Sequence, residues 1–93
     1  MEYLYTVVLV VKDGVFVSQF RAESVNDTFD LWMNDLIINN SPKFNDSEIN
    51  DVKISYDKEI DTIVKINEMN NVWCADFNIK NHYLSVNIIR TVI

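Results

Sequence analysis

The chain has 93 residues, fourteen acidic against eight basic, and a net charge of −6 with its single histidine neutral. That length accommodates one core of about 100 residues and not two, so residues 1–93 are expected to form a single compact domain. Eight scattered Lys and Arg in a chain of pI near 4.5 argue against nucleic acid and anionic membrane as partners, because phosphate affinity depends on clustered cations that release counterions.

Met1-Glu2-Tyr3 carries no basic leader, and the tightest aliphatic run, Val7 to Val11, is far short of the roughly 20 residues that span a bilayer. Cys74 is the only cysteine, so no internal disulfide can form, and small secreted domains often lean on disulfides. The expected location is cytoplasmic.

Two β-branched and aromatic runs, Tyr3 to Val11 and Val15 to Ala22, flank Asp13-Gly14. Asp-Gly between such runs is a type I′ hairpin signal, because both central residues need positive φ. A two-residue loop there pairs Val11 with Phe16, Leu9 with Ser18 and Val7 with Phe20. One face then reads Tyr3, Tyr5, Val7, Leu9, Val11, Phe16, Phe20 and Ala22, the expected core. The opposite face carries Val8, Val10, Val15 and Val17 at its middle, too apolar to be fully solvated. It calls for a cover, either the middle of the chain or another molecule.

Ser24-Val25-Asn26-Asp27 offers a hydroxyl N-cap with an acid three residues on. Val25, Phe29, Trp32, Met33, Leu36 and Ile37 follow at helical spacing, and Asn39-Asn40-Ser41-Pro42 stops the helix. This hairpin-then-helix opening, Tyr3 to Ile38, is topologically like that of the HicB antitoxins. It lacks the extra strand they place before the helix and shares no motif with them, so no residue role carries over.

From Lys43 to Asn71, Val52, Ile54 and Tyr56 alternate as in a strand, while Ile49, Val52 and Tyr56 also fit one helix face. Short length and β-branching favour a loop, a strand near Val52 to Tyr56 and another near Ile60 to Ile66. Val72 to Ile79 and Tyr83 to Val92 then alternate around Lys80-Asn81-His82. A turn at Asn81-His82 pairs Ile79 with Leu84, Phe77 with Val86, Ala75 with Ile88 and Trp73 with Arg90, and lets Arg90 stack on Trp73. The expected fold is α+β: an antiparallel sheet of four to six strands with one helix packed on one face, in the order β-β-α-(β-β)-β-β.

Catalytic inventory is thin. His82 and Cys74 lie several residues apart on paired strands, too far for a nucleophilic dyad, and one Cys with one His cannot build a structural zinc site. Asp57, Glu59, Asp61 and Glu68 echo the acid spacing of a calcium loop, but Thr62 stands where glycine is needed. The single glycine excludes the glycine-rich loops of nucleotide enzymes. Asp76, Tyr83 and His82 share the second hairpin, yet side chains on an open sheet rarely form an enclosed pocket. No metal, cofactor or enzymatic activity is expected.

What remains is surface. The acids between Asp46 and Asp61, with Asp57, Glu59 and Asp61 at their centre, suit electrostatic steering of a basic protein. The expected function is a small acidic protein-binding domain, in its narrower form an immunity protein or antitoxin that neutralises a basic toxin. The alternative is a homo-oligomeric structural or accessory subunit, a homodimer joined through Val8, Val10, Val15 and Val17.

Overall fold

The computed structural model describes residues 1–11, 14–59, 64–65, 70–79 and 82–91; at 56–59, 64–65 and 82 it is the backbone alone that is described. Strands β1 (Tyr3–Val11) and β2 (Gly14–Ala22) are followed by helices α1 (Val25–Asn39) and α2 (Asp46–Glu59), then by β3 (Val64–Lys65), β4 (Val72–Ile79) and β5 (His82–Arg90). The five strands form one antiparallel sheet in the order β2-β1-β5-β4-β3. The first and last strands therefore meet in the middle and join the two hairpins.

The alternation expected in each strand is the alternation observed. Tyr5, Val7, Leu9, Val11, Ala22, Ala75, Phe77, Ile79, Leu84, Val86 and Ile88 are buried on one face, with Tyr3, Phe16, Phe20 and Trp73 packed at its margins. Both hairpins are nevertheless slid by two residues from the expected register. Leu9 faces Phe16 and Val7 faces Ser18, while Phe77 faces Leu84 and Trp73 faces Ile88. A slip of two leaves every side chain on its own face, so hydrophobic patterning cannot resist it; a slip of one would invert the sheet. Gly14 is consequently a strand residue opposite Val11, without positive φ, and not half of a type I′ turn. Residues 12–13 and 80–81 lie outside the described residues. Arg90 does reach Trp73, its guanidinium carbon 5.7 Å from the ring centroid, and lies closer, at 4.6 Å, over Tyr3.

Helix α1 starts where expected. Ser24 is its N-cap, its hydroxyl accepting from the Asp27 amide at 3.1 Å, and the buried Thr28 hydroxyl donates to the Ser24 carbonyl at 3.0 Å. Phe29, Trp32, Met33 and Leu36 are buried on one stripe. Phe29 and Trp32 reach Phe77 of β4, with ring centroids 5.6 and 6.5 Å apart. Asn40 ends the helix in the left-handed conformation (φ 45°), which Asn tolerates better than most residues. Its side chain clamps Phe44, accepting from the Phe44 amide at 2.9 Å and donating to its carbonyl at 2.7 Å.

The middle of the chain departs from expectation. A strand near Val52 to Tyr56 is replaced by α2, whose start is fixed by a reciprocal capping box. The Glu48 amide donates to the Asn45 side chain at 2.8 Å, and the Asn45 amide donates to the Glu48 carboxylate at 3.0 Å. Val52 is 1% exposed and Ile54 46%, a split that a helix produces and an alternating strand does not. Of the strand expected at Ile60 to Ile66, residues 64–65 are described, and they form β3, pairing with Cys74 and Trp73. The sheet thus carries two helices on its core face: α1 against β1 and β2, and α2 against β4.

Candidate functional site

With both helices on one face, the other face of the sheet is uncovered by any described element. Its rows follow from the pairing. Val15, Val10, Ser85 and Asp76 stand side by side across β2, β1, β5 and β4; Val17, Val8, Asn87 and Cys74 form the next row; Gln19, Thr6, Ile89 and Val72 the third. Arg21 and Leu4 begin a fourth at one end, and Tyr83 and Asn78 a fifth at the other.

The four valines singled out from the sequence are therefore brought together, as the pairs Val10–Val15 and Val8–Val17. Val15 and Val17 are 61% and 63% exposed, with Val10 at 39% and Ile89 at 38%. Of the middle segment, one of the two covers expected for this patch, Asp46–Glu59 packs on the opposite side as α2. An apolar stripe that the sequence did not reveal continues the patch diagonally, from Val17 and Val8 to Ile89 and its neighbour Val72. Tying Val8 to Ile89 requires β5 to lie beside β1, a pairing between residues some eighty positions apart.

Among the described strand residues on this open face, Arg21 and Asp76 are the only charged ones. Tyr83 is 54% exposed, and its phenol pKa is raised above the ordinary 10.0, chiefly through hydrogen bonding toward the Asp76 carboxylate, then by desolvation and by the charges of Asp76 and Cys74. Gln19 donates to the Thr6 hydroxyl at 3.0 Å.

The opposite side has the reverse character. Helix α1 contains Asp27, Asp30 and Asp35 and no basic residue, and α2 contains Asp46, Glu48, Asp51, Asp57 and Glu59 against Lys53 and Lys58. The imbalance in the two helices is as large as that of the whole chain, so the remainder is balanced. Asp57 and Glu59, expected in a loop or strand, fall in the last turn of α2; Asp61 lies outside the described residues. Asp27 and Asp30, which sequence reasoning left out of the acidic surface, adjoin an open depression of about 390 Å³ with Glu2, Glu23 and Arg21.

The chemistry-bearing residues stay apart. His82 pairs with Ile79 and Cys74 with Asn87, five residues along the hairpin and thus roughly 17 Å. The segment that begins the calcium-like spacing is helical at Asp57 and Glu59. No group of three or more His, Cys, Asp or Glu among the described residues is placed to hold a metal ion. No described helix is long and apolar enough to cross a membrane.

No protein-family model, curated protein or solved structure matches the chain.

Proposed function

We propose that this chain is a non-catalytic, cytoplasmic binding protein whose helical side recognises a basic protein, the narrower form being neutralisation of a basic toxin as an immunity protein or antitoxin. The observation that supports this reading is the gathering of the chain's whole charge imbalance into α1 and α2, both on one side of the sheet. Same-sign charge concentrated on one face raises the association rate of an oppositely charged partner and orients its approach, whereas the same charges spread evenly would do neither. Toxin nucleases must be basic to hold nucleic acid, so an acidic surface suits their inhibitor. Asp57 and Glu59, in the last turn of α2, would form one end of that surface and Asp27 and Asp30 the other.

The test is capture of partners by the tagged chain beside two charge-reversed variants, Asp27→Lys/Asp30→Lys and Asp57→Lys/Glu59→Lys. The reading expects a stoichiometric basic protein that binds the parent, is lost from both variants and elutes with salt. If the captured protein is acidic, or is held equally by the variants, the helical side is not the recognition surface. For the narrower form, expression of the partner alone should arrest growth and co-expression of this chain should restore it.

A further inference from the structure

We infer that the open sheet face packs against the same face of a second copy of this chain. The two-fold axis would run along the stripe Val17, Val8, Ile89 and Val72, with Arg21 of each protomer set against Asp76 of its partner. This rests on the layout of the sheet and does not require the helical side to bind anything.

Size is the first consideration. Four long strands about 4.8 Å apart, each of eight or nine residues at about 3.4 Å, give a face of roughly 20 by 30 Å, about 600 Å² in projection. The accessible surface of a corrugated face exceeds its projection, so it approaches the roughly 800 Å² per partner of a standard stable interface.

Charge explains why the occupant is a second copy. Two chains of net charge −6 repel, but the imbalance lies in the helices, on the far side of the sheet. The described strand residues of the open face carry one charge of each sign, and it is the side on which two such acidic molecules can meet. Arg21, on the edge strand, borders a depression shared with Glu2, Glu23 and the α1 acids Asp27 and Asp30, and no hydrogen bond or ion pair among the described residues ties it there.

Symmetry sets the arrangement. Arg21 on β2 and Asp76 on β4 occupy opposite corners, three strands across and six residues along, roughly 25 Å apart. A two-fold axis in the plane of a face-to-face contact leaves points on itself in place and exchanges points on either side. For Arg21 to meet Asp76 of the partner, the axis must bisect the line between them at a right angle. On the strand grid that axis crosses β2 beside Val17, β1 beside Val8, β5 beside Ile89 and β4 beside Val72. One operator thus lays the apolar stripe on its own copy and closes two equivalent ion pairs, the self-complementarity that an isologous interface requires. A heteromeric partner would impose no such relation between the two charges and the stripe.

The experiment is sedimentation equilibrium on the full chain and four variants, with thermal unfolding as a check on folding. The parent should sediment at twice 10.9 kDa. Val17→Lys, at an exposed position, should be monomeric and still unfold cooperatively, its melting temperature lower only by the stability that dimerisation adds and independent of concentration. Arg21→Glu and Asp76→Arg should each weaken the dimer about tenfold or more, since each places like charges together at two symmetric points. The double variant Arg21→Glu/Asp76→Arg should recover to within about threefold of the parent. Because the two residues are about 25 Å apart within one chain, that recovery reports contact between chains. A parent that stays monomeric at its highest soluble concentration overturns the proposal and leaves the face to a different molecule. A dimer indifferent to Val17→Lys, or single reversals that do not compensate each other, overturn it equally.

Discussion

Val52 and Ile54 provide a direct test of how the middle of the chain folds. In α2, Val52 is 1% exposed in the core and Ile54 is 46% exposed. Val52→Ala deletes two buried methyl groups, a transfer loss of roughly 1.5 kcal/mol at about 0.8 per group, and the space left behind brings the total to about 2 kcal/mol. Ile54→Ala deletes more carbon but from a surface position, so its cost should stay within about 0.5 kcal/mol, helped by alanine's better helix propensity. Urea unfolding measures both. With a slope of about 1.5 kcal/mol per molar for so small a domain, the Val52→Ala midpoint should fall by roughly 1 to 1.5 M and the Ile54→Ala midpoint should hardly move. In an alternating strand, residues 52 and 54 share a face and the two substitutions would cost alike; equal losses would refute the helix and its packing against β4.

Three further outcomes follow from named contacts. Asn45→Ala removes one half of the reciprocal cap of α2 and should cost about 1 kcal/mol in the same assay, with Asn45→Ser or Asn45→Asp largely neutral. Gly14→Ala should change stability by less than about 1 kcal/mol, because Gly14 has no positive φ and the added carbon meets only the Phe16 ring, at 3.2 and 3.3 Å, against a gain from restricting the unfolded chain; a loss above about 2 kcal/mol would point back to a strained turn. Tyr83 should titrate above 10.0 by ultraviolet absorbance. Its hydrogen bond favours the neutral phenol, so the associated stability is present below the unfolded value of about 10 and is lost as pH rises through the higher folded value; Tyr83→Phe should remove that alkaline loss.

Much of this fold is legible in the sequence because a period of two is robust. Tyr5, Val7, Leu9, Phe77, Val86 and Ile88 stand on the core face whichever turn joins their strands, and Ser24 with the Phe29–Trp32–Leu36 stripe marks α1 to the residue. The two registers are not legible, since a slip by two residues conserves every face and turn chemistry alone decides; Asp13-Gly14 points to Val11 opposite Phe16, where Val11 stands opposite Gly14. Helix α2 hides behind the β-branched Val52 and Ile54, which favour a strand locally. The Asn45-x-x-Glu48 cap, together with Ile49, Val52 and Tyr56 at helical spacing, was the available signal against that preference. The valine patch follows from strand alternation. The diagonal stripe and the opposite corners taken by Arg21 and Asp76 do not, because they depend on β5 lying beside β1, a contact that no local pattern encodes. The acidic surface is legible in composition but not in extent, since only the fold adds α1 to it.

The proposals assign the acidic helical side to a basic partner and the open sheet face to a second copy of this chain. Native mass spectrometry of the captured complex across a salt series tests that division most directly. The account predicts two copies of this chain with two of the partner, and added salt that strips the partner while the homodimer survives. A complex of one chain with one partner that persists in salt and dissociates with Val17→Lys would contradict it, placing the partner on the sheet face.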